Sequence, residues 1–252
     1  MELKNRMPPA MKVLLIDDHP LILSALRAVI LGLNPEVTVV GAEGANAARR
    51  ILQGDPGFDL VLLDLQLGDA YGFDVLVEFR ATYPALPVVV VSASDRQSDV
   101  IRAVDSGAMG FIPKRFGNED LHEALRMVMN GGIYVPTMAM GGGASAGGHG
   151  GRSTESLPAV RDAQQGMPVQ TQPPLASIGL TPRQTEVLAL LLQGKPNKLI
   201  ARDLNVSVET VKDHVAAVLR ALGVSSRTQA VLAVGQMSQQ GGINNAWRPA
   251  RE

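Results

Sequence analysis

The sequence predicts two domains of different class: an open α/β domain built on a parallel sheet, then a smaller all-helical domain. Three observations carry that reading. From Met11 to about Pro136, short apolar runs alternate with helical patterns, as in a parallel sheet covered on both faces. Residues 137–177 break the pattern with GGGASAGGHGG at 141–151, followed by Pro158, Pro168, Pro173 and Pro174. From Leu180 the apolar spacing is helical throughout.

In order along the first domain (11–136), VLLI (13–16) reads as a strand and precedes a helix at about 20–33. VTVVGA (37–42) precedes a helix at about 45–54, LVLLDL (60–65) one at about 72–83, PVVVVSA (87–93) one at about 97–107, and GFIP (110–113) one at about 118–131. Five such units in about 125 residues predict a flavodoxin-like, five-stranded parallel sheet. The segment 137–177 holds few large apolar side chains. It cannot bury enough surface to offset its ordering entropy and reads as a flexible linker with an r.m.s. reach of roughly 35 Å. Its His149 has no neighbouring ligand residues and reads as solvated.

The second domain (178–238) reads as about four helices. Thr181-Pro182-Arg183-Gln184 combines an N-cap, a proline at N1 and a capping-box glutamine. That helix runs to about Gln193 and stops at Gly194. A second covers Asn197–Leu204, Asn205–Val206 makes a tight turn, Ser207 caps a third that ends near Gly223, and a fourth starts at Ser226. The tail, 239–252, reads as disordered.

Composition narrows the function classes. With no cysteine in the chain, disulfides, thiol catalysis and cysteine metal sites are excluded. No apolar stretch reaches the ~20 residues of a membrane span, and MELKNRMPPAMKV has no signal-peptide core, so a cytoplasmic protein is expected. The formal net charge of −1 hides an asymmetry: 11–135 carries about six more acids than bases, and 178–235 about three more bases than acids. Such a split suggests different partners for the two domains.

In an open parallel sheet the strand C-termini line one crevice, where ligands bind. Asp17, Asp18, Asp64, Ser92, Phe111 and Lys114 all sit at or just beyond a strand end. Three carboxylates beside a hydroxyl and a lysine suggest Mg²⁺ and phosphoryl chemistry, with Asp64 as acceptor. Asp64 is the strongest candidate, because a carboxylate inside VLLDLQL is costly without partners. Helix capping would also account for Asp17 and Asp18, a surface position for Lys114, a strand-end turn for Ser92, and core packing for Phe111.

The joint pattern LLIDDHPL (14–21), LVLLDLQL (60–67), VVVVSA (88–93) and GAMGFIPK (107–114) resembles the receiver domain of bacterial two-component response regulators. The resemblance implies that Asp17, Asp18 and Asp64 form the acidic pocket and that Asp64 is the phosphoacceptor. It further implies that the backbone carbonyl of Gln66 is a Mg²⁺ ligand, Ser92 and Phe111 the switch pair, and Lys114 the phosphate-binding lysine. One departure is Gly68, where relatives usually carry proline.

The run LTPRQTEVLALLLQGKPNKLIARDLNVSVETVKDHVAAVLRALGVSSRTQAV, within residues 180–232, resembles the LuxR-type helix-turn-helix domain of NarL/FixJ-type regulators. In the third helix Val211, Val215, Val218 and Leu222 form one apolar stripe. Thr210, Lys212, Asp213, Ala216 and Arg220 fall on other faces, available to DNA. Lys212 is the best base or phosphate contact, Lys198, Thr210 and Arg227 are candidate phosphate contacts, and His214 either contacts phosphate or packs internally. Asp213 and Ala216 depart from the basic or polar residues of many relatives, so no operator sequence transfers.

The expectation is a phosphorylation-dependent, DNA-binding transcriptional regulator rather than an enzyme, its receiver at most catalysing its own phosphoryl transfer and dephosphorylation. Expected partners are a sensor histidine kinase, double-stranded promoter DNA, a second copy of the chain when phosphorylated, and RNA polymerase as a further candidate. The alternative is a constitutive or otherwise gated DNA binder with an unphosphorylated receiver. A phosphatase of the haloacid dehalogenase type is disfavoured, because it requires an aspartate where Gln66 stands.

Overall fold

A computed structural model of the chain describes residues 11–115, 117–136 and 178–240. The proposed linker, with His149, and the tail beyond Gln240 lie outside the described residues. The first part contains β1 (Lys12–Ile16), α1 (Pro20–Leu33), β2 (Thr38–Ala42), α2 (Ala45–Gly54), β3 (Leu60–Leu63), α3 (Gly72–Thr82), β4 (Val88–Ser92), α4 (Gln97–Asp105), β5 (Gly110–Pro113) and α5 (Asn118–Met129). The strands form one parallel sheet in the order β2-β1-β3-β4-β5.

Alternate residues of each strand serve opposite faces. Leu14, Ile16, Val61, Leu63, Val88 and Val90 pack in one core with residues of α2, α3 and α4. Val13, Leu15, Leu60, Leu62, Val89 and Val91 pack in a second with residues of α1 and α5. Burial on both faces is why the strands read as unbroken apolar runs rather than alternating ones.

Three helices end sooner than their apolar periodicity suggests. Gly107 (φ +93°) and Gly131 (φ +85°) adopt left-handed backbone just beyond α4 and α5, which glycine tolerates without strain. α3 stops at Thr82, because Pro84 disfavours helical geometry at Tyr83.

The second part contains α6 (Pro182–Leu192), α7 (Asn197–Asp203), α8 (Val208–Ala221) and α9 (Arg227–Gln240). The Thr181–Gln184 capping box forms in both directions. Asn205 takes a left-handed φ of 52° in the α7–α8 turn, a conformation asparagine visits more readily than most residues. The stripe Val211, Val215, Val218 and Leu222 is buried, joined by Leu219, against Val187, Leu188, Leu191 and Ile200. Gln239 and Gln240, read from sequence as the start of the tail, are the last residues of α9. Among the described residues no helix is long and apolar enough to cross a membrane.

Phe79 of α3 is 1% exposed, is part of the first core and meets Tyr83 edge-on at 6.2 Å. Phe79→Ala is expected to lower the unfolding free energy by roughly 3–5 kcal/mol, read from the midpoint of urea denaturation followed by circular dichroism.

Candidate functional site

The acidic cluster follows from strand register. Ile16 and Leu63 are partners across β1 and β3, so Asp17 and Asp64, the next residues, emerge side by side. Their backbones stay in the ladder: Asp17 N–H donates to Ala42 O at 3.1 Å and Asp64 N–H to Ile16 O at 2.9 Å. Both are 2% exposed. Across β4 and β5 Ser92 is opposite Pro113, and Lys114 N–H donates to Ser92 O at 2.7 Å. Lys114 is thereby delivered to the same edge, its Nζ 2.6 Å from Asp17 Oδ2 and 2.7 Å from Asp64 Oδ2. The structure thus brings Asp17, Asp64 and Lys114 into one cluster, with Asp18 at its rim.

Charge in the cluster is unbalanced, since three carboxylates face one ammonium. Burial pushes the Asp64 carboxyl above the usual carboxylate range, opposed by its hydrogen bond from Lys114 and reinforced by the charge of Asp17. Burial would lower the Lys114 ammonium, but its bonds to Asp17 and Asp64 outweigh that and raise it. Asp64 Oδ1 is buried with no hydrogen-bond partner, an arrangement that a native site rarely leaves unexplained. The His19 ring meets the same cluster, Nδ1 lying 2.7 Å from Asp18 Oδ1 and 3.2 Å from Asp17 Oδ1. Ligand atoms of Asp17, Asp18, His19 and Asp64 all fall within 4.8 Å of one another. Excess carboxylate oxygen and one orphaned buried oxygen fit a hard divalent cation such as Mg²⁺. Helix capping does not explain the pair at 17 and 18: the N-cap of α1 is His19, without a side-chain cap bond.

Ser92 is 1% exposed and its Oγ accepts from Ser94 N–H at 3.2 Å. Phe111 is fully buried in the first core, opposite Val90. The loop after Asp64 folds back on itself: Gln66 bridges to Tyr71, and Gly72 N–H donates to Leu65 O at 3.2 Å. A Cβ on Gly72 would come within 2.4 Å of Leu65 Cα, so this closure requires glycine.

In the helical domain Ser207 Oγ accepts from Thr210 N–H at 3.0 Å and pairs with the Thr210 hydroxyl at 2.8 Å. Asp213 and Arg220 are exposed, while Thr210, Lys212, His214 and Ala216 are half-buried. For Lys212 and Ala216 part of that cover comes from the first domain. Lys212 Nζ donates to Pro56 O at 2.6 Å, and Lys198 Nζ lies 2.8 Å from Asp59 Oδ2. Lys212, Asp213 and Ala216 line a cleft of about 170 Å³ closed on the other side by Leu52, Pro56 and Tyr83. Further along the same interface Asn197 Nδ2 donates to Ala85 O at 3.1 Å and Gln229 Nε2 to Asp105 O at 2.9 Å.

Arg227 departs from its sequence reading as a phosphate contact. It is 9% exposed, and its Nη2 donates to Leu191 O at 2.9 Å and also to Lys195 O. The guanidinium is spent joining the start of α9 to the C-terminal end of α6 and the loop that follows it. Burial pushes its pKa down to about 10.

Sequence reading missed several groups. His19 follows two candidate ligands directly and was legible as a third donor. Arg80, at 4% exposure, donates to Tyr83 O at 3.3 Å, to Pro84 O and Leu86 O, and twice to Ser225 O of the second domain at 3.0 and 2.7 Å. Its pKa is pushed down to about 10 by burial. An arginine inside the helical run VLVEFRAT was the only sign. Asp59 carried none, because its role depends on a neighbouring domain.

Residues 13–126 match the response regulator receiver domain family, and residues 179–234 match the luxR family of bacterial regulatory proteins. The chain is 32% identical over 231 residues to the glycerol metabolism activator of Pseudomonas putida, covering 90% of this chain and 96% of that protein. It is 34% identical over 227 residues to the nitrate/nitrite response regulator protein NarL of Escherichia coli (strain K12), covering 89% and 94%. It is 30% identical over 247 residues to the transcriptional regulatory protein DegU of Brevibacillus brevis, covering 95% and 96%.

A carboxyl that binds its proton more tightly folded than unfolded opposes folding while ionised. For Asp64 that opposition is complete above its raised folded-state pKa and vanishes below the unfolded value of ~3.9. Without metal, Asp64→Asn is therefore expected to raise stability at pH 7, with the gain shrinking as the pH falls toward 4. Urea titrations at the two pH values check the sign.

Proposed function

Because the chain belongs to the NarL/FixJ-type response regulators, which join a receiver domain to a LuxR-type DNA-binding domain, we propose that Asp64 is its phosphoacceptor. The protein is a phosphorylation-dependent transcription regulator of a two-component system. A sensor kinase upstream and DNA downstream follow from the two domains. In the proposed domain division the receiver is 11–136, the linker 137–177, the DNA-binding domain 178–238 and the tail 239–252.

The observation that carries the acceptor assignment is the buried Asp64 carboxylate, held by Lys114 on one oxygen and left without a hydrogen-bond partner on the other. A carboxylate oxygen of Asp64 attacks the phosphorus of a phosphohistidine or small phosphoryl donor. The O–P bond forms as the bond to the leaving group breaks, and the product is an aspartyl phosphate. Lys114 meets the charge on the transferred group. Asp17, Asp18, Asp64 and the Gln66 carbonyl would hold Mg²⁺, which when bound spreads the negative charge of the in-line transfer. In this reading the receiver performs its own transfer and its own dephosphorylation. The Ser92 hydroxyl hydrogen-bonds the phosphoryl group, and Phe111 moves with it.

The output is proposed to be access to α8. The contacts of Lys212 with Pro56 and of Lys198 with Asp59 occupy two groups assigned to DNA phosphate. Phosphorylation biases the interface toward opening. The freed domain binds promoter DNA through Lys198, Thr210, Lys212, Asp213, His214, Ala216 and Arg220, as a homodimer, with RNA polymerase as the candidate downstream partner. Arg227 acts in this reading by tying the start of α9 to the end of α6.

Two outcomes are expected. Acetyl phosphate with Mg²⁺ adds one phosphoryl group to the wild type and none to Asp64→Asn, read by intact mass; a variant still labelled at the same yield contradicts the acceptor assignment. Asp59→Asn keeps an acceptor for the Lys12 N–H, which donates to Asp59 at 2.7 Å, but loses the charge opposite Lys198. It is expected to tighten binding of the unphosphorylated chain to mixed-sequence duplex DNA by up to about five-fold, the value of a modest ion pair, read by fluorescence anisotropy. Unchanged binding contradicts a covering role for that contact.

A further inference from the structure

The loop that follows Asp64 has an unusual tether. Asp69 Oδ1 accepts from Ala45 N–H and Oδ2 from Asn46 N–H, both at 2.9 Å. These are orphan donors of the first turn of α2, whose own N-cap is Gly44, with no side chain to satisfy them. The β3–α3 loop therefore caps a helix that starts 24 residues earlier in the chain. The two N–H groups of Asn46 and Ala45 hold the Asp69 carboxyl below the usual carboxylate range.

Both sides of this cap are shaped for it. A Cβ on Gly44 would stand 2.8 Å from Asp69 Oδ1, so a side chain at 44 would push the carboxylate off its donors. α2 is in turn fixed to α3 by Arg49, whose Nε and Nη2 reach Glu78 at 2.9 and 2.8 Å. The loop is thus held at its tip by α2 and at its far end by a helix that α2 also grips.

Between β3 and the Asp69 tether lie the positions that matter to the acidic pocket. Gly68 packs against it, since a Cβ there would be 3.3 Å from Asp18 Oδ2. Gly68 supplies neither a ring nor a side chain to stiffen the backbone, and glycine is the least restrained residue. Gln66 follows Asp64 by two residues and bridges to Tyr71 within the same loop. An untethered tip would let Gln66 and Gly68 drift relative to Asp17 and Asp18.

We propose that Asp69 is a positioning residue for the phosphoryl site: by capping α2 from the β3–α3 loop, it fixes the backbone of residues 66–68 against the acidic pocket and so sets its affinity for a divalent cation. This rests on the reading that Asp17, Asp18, Asp64 and the Gln66 carbonyl hold Mg²⁺. Asp69 itself does not touch the reacting atoms.

The test is Mg²⁺ titration of the full chain by calorimetry, paired with the Mg²⁺ dependence of phosphoryl uptake from acetyl phosphate. Asp69→Ala is expected to weaken Mg²⁺ binding by roughly ten-fold, as loss of a ligand-orienting partner does, and to raise the half-saturating Mg²⁺ for uptake equally. The uptake rate at saturating Mg²⁺ stays at the wild-type value, a split that general loosening of the fold would not give. Asp69→Asn, which keeps one acceptor oxygen, recovers most of the affinity. Gly44→Ala, which strikes the same cap from the helix side, reproduces the Asp69→Ala loss. Wild-type Mg²⁺ affinity in Asp69→Ala overturns the inference. Absence of Mg²⁺ binding in the wild type instead overturns the underlying assignment of the pocket.

Discussion

One ammonium shared between two buried carboxylates is the constraint on which the receiver's chemistry rests. Lys114 lies 2.6 and 2.7 Å from Asp17 and Asp64, at an edge where both carboxylates are almost fully removed from water. One cation cannot neutralise three acids, and a buried uncompensated charge is expensive. The site is therefore poised: stable enough to exist, yet short of positive charge and of one hydrogen-bond donor. A divalent cation and a transferring phosphoryl group are chemically what such a pocket lacks, the one bringing charge and the other re-engaging Lys114.

The fold produces this pocket with little local specification. Parallel register places Asp17 beside Asp64 and Lys114 beyond Ser92, so four residues from distant parts of the chain meet without any one loop having to reach. The orphaned Asp64 oxygen is tolerated because the surrounding sheet is sealed on both faces. Strain of this kind, local cost carried by global packing, is expected at a functional edge.

Much of this was legible in the sequence for definite reasons. Strands buried on both faces must be unbroken apolar runs, and an aspartate closing such a run needs a chemical explanation. The capping box at Thr181 and the stripe from Val211 to Leu222 are local signals and formed as read. What stayed hidden depends on partners that leave no mark in sequence. The acceptors for Lys212, Arg80 and Arg227 are backbone carbonyls of Pro56, Ser225 and Leu191, and any residue offers a carbonyl. An arginine after two serines suits a phosphate contact in sequence; only the packing of α9 against the end of α6 reveals that Arg227 points inward. The Asp69 cap was invisible for the same reason, because its donors are N–H groups 23 and 24 residues away.

The two halves meet through side-chain bonds to backbone carbonyls, the Lys198–Asp59 ion pair and the packing of Ala85 against the core of the helical domain. A pocket that gains negative charge on phosphorylation, and an interface that holds the two lysines proposed to meet DNA, form one switch only if the first controls the second. The most direct measurement is amine-reactive labelling of Lys198 and Lys212, read by peptide mass spectrometry with and without acetyl phosphate and Mg²⁺, beside Asp64→Asn. The account predicts that phosphorylation increases labelling of both lysines in the wild type and leaves the variant unchanged. Equal labelling of the phosphorylated and unphosphorylated wild type would contradict it.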